Sequence, residues 1–160
     1  EGDVHINTPY FENGFIYYIT GDGNGSVKLK LSPDGMAITE VWRNSRCDNT
    51  MGNFIKTGDY LYTASYGTRQ WYILADADGR IVDSVKFDKG VTVSADGLLY
   101  CYNEKGQVGL FRPAGPKMEP VSSFRITRGT KAHYAHPVIC GGVMYIRHGR
   151  SLQAYDIPQR

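Results

Sequence analysis

Long apolar runs, cysteine pairs and an excess of charge of one sign are all scarce in this sequence, and each scarcity excludes something. No apolar run approaches the ~20 residues a membrane helix needs, so no membrane span is expected. The 18 Lys and Arg nearly balance the 16 Asp and Glu, and no basic run is present, so a dedicated nucleic-acid surface is not expected. No signal peptide is visible, and the chain opens at Glu1-Gly2, as a mature product or a piece of a longer protein would. The three cysteines, Cys47, Cys101 and Cys140, show no C-x-x-C spacing, and an odd number cannot all pair within one chain. Cys101 and Cys140 lie in or beside apolar strands, where a small buried hydrophobe is expected. Cys47 sits in the polar stretch RNSRCDN and is expected to be the exposed thiol, with arginines near enough to lower its pKa.

What the chain has in abundance is glycine and tyrosine, 19 and 12 of its 160 residues. With β-branched and aromatic residues dominating the apolar runs, this composition favours many short strands and tight turns over helices. Four segments superpose on a turn-and-tyrosine core: Asn13-Gly-Phe-Ile-Tyr17, Gly58-Asp-Tyr-Leu-Tyr62, Asp96-Gly-Leu-Leu-Tyr100 and Gly141-Gly-Val-Met-Tyr145. Their tyrosines are 45, 38 and 45 positions apart, the period of a four-stranded propeller blade rather than of helical repeats.

The fold expected is therefore all-β: a partial β-propeller filling residues 1–160, with antiparallel blades at about 6–42, 51–87, 91–126 and 136–157. In the third, the three-proline stretch Arg112–Pro120 reads as a long loop before a closing strand at Val121–Ile126. Pro9 and Pro137 each stand eight residues before the repeat tyrosine, at a strand start where no ladder hydrogen bond is lost. The fourth blade has no fourth strand. Closure is expected from another copy or from further blades of a longer chain, because an isolated half ring leaves sheet faces open.

The pattern resembles the pyrroloquinoline-quinone-like β-propeller repeat family, the fold of quinoprotein alcohol dehydrogenases and of the outer-membrane assembly lipoprotein. The likeness rests on Leu74-Ala75-Asp76-Ala77-Asp78-Gly79, on Ala154-Tyr155-Asp156-Ile157, and on Asp34-Gly35 followed seven residues later by Trp42. Val85 or Phe87 stands where the second blade's docking tryptophan would sit, and the third and fourth blades lack one. Trp42 and Trp71 read as core or inter-blade packing. The resemblance implies a bacterial protein in the periplasm or outside the cell. No quinone-stacking tryptophan, vicinal cysteine pair or Glu/Asn/Asp calcium cluster can be matched, so no cofactor is expected.

Loops joining the outer strand of one blade to the inner strand of the next open on one face of such a ring. That gathers Arg43, Arg46, Asp48, Asn49, His133, Tyr134 and His136 at a polar mouth suited to a protein or a small polar ligand. A zinc site at His133 and His136 lacks a third ligand of credible spacing, and Asp48 with Asp88 is the one carboxylate pair placed near the mouth. The expected function is a non-catalytic binding or protein-interaction scaffold, part of a larger propeller protein. The alternative is a fragment of a quinone-dependent dehydrogenase acting on alcohols or sugars, with pyrroloquinoline quinone and calcium.

Overall fold

The computed structural model describes residues 7–157. Fifteen strands and no helix are found among them, in four separate antiparallel sheets taken in chain order. The first holds β1 (Tyr10–Glu12), β2 (Phe15–Thr20), β3 (Gly25–Leu31) and β4 (Ile38–Asn44). The second holds β5 (Ile55–Thr57), β6 (Tyr60–Ala64), β7 (Trp71–Ala75) and β8 (Ile81–Val85). The third holds β9 (Gly90–Ala95), β10 (Leu98–Asn103), β11 (Gln107–Ala114) and β12 (Lys117–Arg125). The fourth has only β13 (Val138–Cys140), β14 (Val143–His148) and β15 (Ser151–Asp156). Each is a meander in which neighbours in sequence are neighbours in the sheet. Contacts of β5 with β9 and of β8 with β12 set first strands beside first strands and last beside last, as in a fan. This is the bladed all-β architecture expected, with the last blade one strand short.

Strand alternation explains the packing. Successive side chains in the second strand of each sheet point to opposite faces, so one set meets the sheet before and the other the sheet after. Tyr17 and Ile19 pack with Phe54, Leu61, Tyr72 and Leu74 between the first and second sheets. Tyr62, Ala64, Trp71 and Ile73 meet Leu99, Cys101 and Phe111 between the second and third. Tyr100, Tyr102 and Val108 meet Met144 and Ile146 between the third and fourth. The core is thus three slabs between sheets rather than one central mass.

Each four-stranded sheet carries one extra residue in its outer strand. The register slips opposite Lys28/Leu29, Ile73/Leu74 and Leu110/Phe111, leaving Val41, Val82 and Val121 unpaired. A bulge at the same place three times bends the outer edge and raises the twist there. It also corrects the reading of Arg112–Pro120 as a long loop. Pro113 pairs with Met118 within a hairpin turning at Gly115-Pro116, and Pro120 lies opposite Phe111 beside the bulge. On an outer strand a missing N–H removes no inward hydrogen bond, which is why Pro120 is tolerated, and Pro113 lies beyond Phe111, the last residue of β11 that pairs with β10. The first strand also starts later than expected, at Tyr10, and Ile6 lies outside the described residues.

Trp42 is an inter-sheet brace. Its indole covers Gly79 in the β7–β8 turn, where a Cβ would lie 2.5 Å from Cε3, and its Nε1 donates to the Asp76 carbonyl at 2.8 Å. Beside it the buried Lys28 ammonium donates to both the Asp76 carbonyl and its carboxylate, each at 3.0 Å. Trp71 likewise donates to the Asp88 carbonyl at 2.5 Å, and Phe87 packs edge-on to Phe111 with centroids 5.2 Å apart. Phe87 also closes over Gly109, where a Cβ would come within 2.6 Å of Cζ.

Two cysteine expectations are overturned. Cys47 is buried in the first slab, and its Ser26-bonded carbonyl turns it inward from the polar stretch around it. Burial pushes its thiol up to about 12, against a smaller opposing pull from Arg46. Cys140 is exposed, because it lies on the side of the fourth sheet that no other sheet covers. Cys101 is buried, and burial pushes it up to about 12 as well.

Gly79→Ala should destabilise the chain by about 2–4 kcal/mol in urea unfolding, because a positive φ of 68° and the Trp42 clash act together. Gly35→Ala, with φ of 73° but open space around it, should cost only about 1 kcal/mol. Equal losses would refute the brace. Titration with a thiol reagent should leave Cys47 and Cys101 unmodified until urea unfolds the chain; their prompt labelling in buffer would contradict the buried placement.

Candidate functional site: the polar mouth at the strand starts

A blade that hydrogen-bonds only within itself leaves the backbone of the connecting loops unpaired, and those groups need partners. The loops at residues 45–54, 86–89 and 126–137, with residues 7–9, supply them at one end of the fan. Asn49 is the main knot. Its N–H donates to the Thr20 carbonyl at 3.1 Å, its Nδ2 to Gly90 O at 3.3 Å, and its Oδ1 accepts from Met51 N at 3.0 Å. Asn7 Nδ2 donates to Ile19 O at 3.0 Å and to Asn49 O at 2.5 Å. Asp48 joins the same loop to the second sheet: its Oδ1 accepts from Ser65 Oγ at 3.1 Å and Gly67 N at 3.3 Å.

Between these ties lies a cleft of about 340 Å³ lined by Asn7, Thr8, Met51, Asn53 and His136. Asn53 Nδ2 donates to Thr8 O at 2.7 Å, and His136 Nε2 lies 3.0 Å from Met51 O, so the segments leading into three sheets contribute to one wall. Asn53 Oδ1 is buried without a hydrogen-bond partner among the described residues. An acceptor held out of water without a donor costs about 1–3 kcal/mol.

Of the residues the sequence placed at the mouth, His136 lines this cleft and Asn49 and Asp48 form its frame. Arg43 lies on β4 and binds Glu40 at 2.6 Å and Asn24 O at 3.0 Å. Arg46 is exposed, with its guanidinium 5.9 Å from the Tyr72 ring centre, and Tyr134 is exposed in the last loop. Sequence reasoning missed Asn7, Thr8, Met51 and Asn53. A signal was present: nine positions before the repeat tyrosine stand Thr8, Asn53, Val91 and His136, three polar side chains and one valine in the same register.

His133 does something other than line the cleft. Its ring covers Gly106, bonds through Nδ1 to the Tyr102 hydroxyl, and stacks on His148 with centroids 3.7 Å apart and planes at 21°. His148 is buried, with Nδ1 2.9 Å from Arg128 O and Nε2 2.7 Å from Lys131 O. The two rings therefore pin the loop that leads into the fourth sheet. Burial, then the charges of His148 and Arg125, hold His133 below the usual histidine range.

A second polar cluster lies where the second and third sheets meet. Arg69 binds Asp88 and Glu104, each at 2.8 Å, Lys105 binds Asp88 at 2.7 Å, and Lys89 binds Glu104 at 3.3 Å. Burial alone would raise the Asp88 carboxyl, but Lys105, Arg69 and the Lys89 N–H outweigh it and hold it low. Asp48 and Asp88 are thus each engaged in bracing loops. No group of three or more His, Cys, Asp or Glu among the described residues is placed to share a metal ion.

No family model and no curated protein sequence matches the chain. Solved structures do. The computationally designed Ika8 protein superposes with a TM-score of 0.65 at 9% identity, over 98% of this chain and 48% of that one. BamB from Moraxella catarrhalis, a β-propeller, superposes with a TM-score of 0.59 at 12% identity, over 92% and 41%. The computationally designed Ika4 protein gives a TM-score of 0.57 at 6% identity, over 99% and 96%. The chain spans about half the length of the first two. At these identities the likeness concerns fold, and the fold is propeller-like.

Lowering pH from 7.5 should release the loop pinned by His133. With its folded pKa below the unfolded value of about 6.5, its contribution is full above 6.5 and is lost as pH falls toward the folded value. NMR titration should show the His133 ring resonances moving at lower pH than those of an unstructured histidine. His133→Gln should flatten the fall of Tm between pH 7 and 5. An ordinary midpoint for His133 would contradict the packing.

Proposed function

We propose that this chain is a non-catalytic interaction scaffold that presents its polar mouth to an extended, hydrogen-bonding segment of a partner protein. The propeller-like fold suits an interaction role. The single observation that carries the finer reading is the open cleft lined by Asn7, Thr8, Met51, Asn53 and His136, with the Asn53 Oδ1 acceptor buried beside it and without a partner among the described residues. A main-chain N–H would satisfy that acceptor, and Thr8 and His136 offer further polar contacts beside it. The resemblance read from the repeats supports a parent protein of the pyrroloquinoline-quinone-like kind, acting outside the cytoplasm. The end sheets favour a surround of further sheet, from another copy or from more chain.

The alternative, a fragment of a quinone-dependent dehydrogenase, finds few fitting groups. Both tryptophans are used between sheets, donating to Asp76 and Asp88 carbonyls, and the acidic residues near the mouth are tied to Ser65, Gly67, Arg69 and Lys105.

Titrating the protein with acetyl-glycyl-glycine amide, followed by amide NMR shifts, should perturb Thr8, Asn53 and His136 first. Asn53→Ala should weaken that binding by roughly three- to tenfold, the worth of one hydrogen bond. Shifts confined to other surfaces, or none at millimolar peptide, would refute the mouth as the site. Reduction of a dye on adding pyrroloquinoline quinone, calcium and alcohols would refute the non-catalytic reading.

A further inference from the structure

The repeat register makes the two ends of the fan comparable with its interior. Tyr17, Tyr62, Tyr100 and Tyr145 occupy one position, facing the sheet that follows. The first three are buried at 1%, 1% and 4% exposure, whereas Tyr145 stands 37% exposed. Its cross-strand neighbours are Val138 and Ala154. Val138 is 58% exposed, and Leu152, opposite Arg147 on the same face, is 70% exposed. The mirror situation holds at the other end. Leu61, Leu99 and Met144 face the preceding sheet and are buried, while their counterpart Ile16 is only half-buried and its neighbour Phe11 is 60% exposed. Leu29, Leu31 and Ile38 extend that apolar face.

We infer that these two faces are partners for each other in a second copy of this chain: the fourth sheet of one packs on the first sheet of its mate, twice, closing a ring of eight sheets about a twofold axis. The inference narrows the surround of further sheet proposed above to one occupant, and three observations favour a copy. The interior contacts repeat one pairing, a tyrosine-bearing face against an aliphatic one, and the two faces that no described sheet covers are the missing halves of that same pairing. Contacts of unlike faces propagate until rotation closes them, and two copies make the smallest closed assembly. The chain fills 48% of the Ika8 chain, so that protein has about as much chain again beyond the superposed part. A separate polypeptide of this length with this fold also exists, since the chain and Ika4 cover 99% and 96% of each other.

Sedimentation equilibrium of the 160-residue chain should give twice its 17.9 kDa mass. Leu152→Asp and Phe11→Asp should each weaken association by roughly 100-fold while keeping the β-sheet circular dichroism, since both side chains are exposed in the single chain. Mixing the two variants should restore dimers, because the mixed pair keeps one contact with both faces intact. The Cys140 thiol, on the Val138 face, should react faster in Leu152→Asp than in the wild type. A wild-type monomer, an open-ended polymer, or a Phe11→Asp chain that stays dimeric would overturn the inference. None of those outcomes bears on the mouth, which the peptide titration reads separately.

Discussion

Everything in this molecule follows from one constraint: a four-stranded sheet with apolar side chains on both faces cannot be stable alone. Alternation along β2, β6, β10 and β14 sends tyrosine one way and isoleucine, leucine or methionine the other, so each sheet requires a neighbour on each side. Burying one such side chain is worth about 1.5–3 kcal/mol, and each slab gathers seven or eight buried ones. No single sheet owns a core. Stability is shared through nearest neighbours, as in other stacked repeats.

Apolar packing of that kind is tolerant of sliding, and the polar contacts between sheets remove the tolerance. Asp76 receives the Lys28 ammonium and the Trp42 indole from the sheet before it, and Tyr62 reaches the Gly115 carbonyl of the sheet after, at 2.6 Å. These bonds are directional and half-buried, so a displacement of one ångström or so would strand their donors in an apolar slab. Glycine at 79 and 109 is what lets Trp42 and Phe87 approach the next sheet closely. The two aromatic rings do equivalent jobs with different chemistry, which is why the second sheet functions without the docking tryptophan that the repeat resemblance led one to seek.

The blade pattern was legible because it is written in local signals: Gly-containing turns, period-two alternation and the recurring tyrosine. Phe15–Thr20 and Tyr60–Ala64 could be read directly as strands for that reason. Signals that depend on a third strand were not legible. Pro113 and Pro120 read as loop because proline is judged by its own backbone, whereas Pro120 is tolerated on an outer strand beside a bulge and Pro113 where β11 has run past its pairing with β10. Cys47 read as exposed because its neighbours are polar, yet the Ser26 bond to its carbonyl turns the side chain into the first slab. At the mouth, chemical prominence points to arginines, whereas the plain Asn53 and Thr8, nine places before the tyrosine, stand out only by their shared register.

The position of that mouth is itself a consequence of the fan. Sheets that touch at their first strands crowd their starting ends together, and the loops arriving there must find hydrogen-bond partners without a ladder. Asn49 and Asn7 spend their amides on carbonyls of two other segments, and Asp48 spends its carboxylate on the β6–β7 turn. A frame made of side-chain amides bonded to backbone holds its shape without an apolar filling, and so it can stay open and polar. Asn53 belongs to the same register but has only half its amide engaged. The frame thus leaves one buried acceptor, Asn53 Oδ1, without a partner among the described residues, and it does so at the one end of the fan where side-chain amides rather than a ladder hold the chain together.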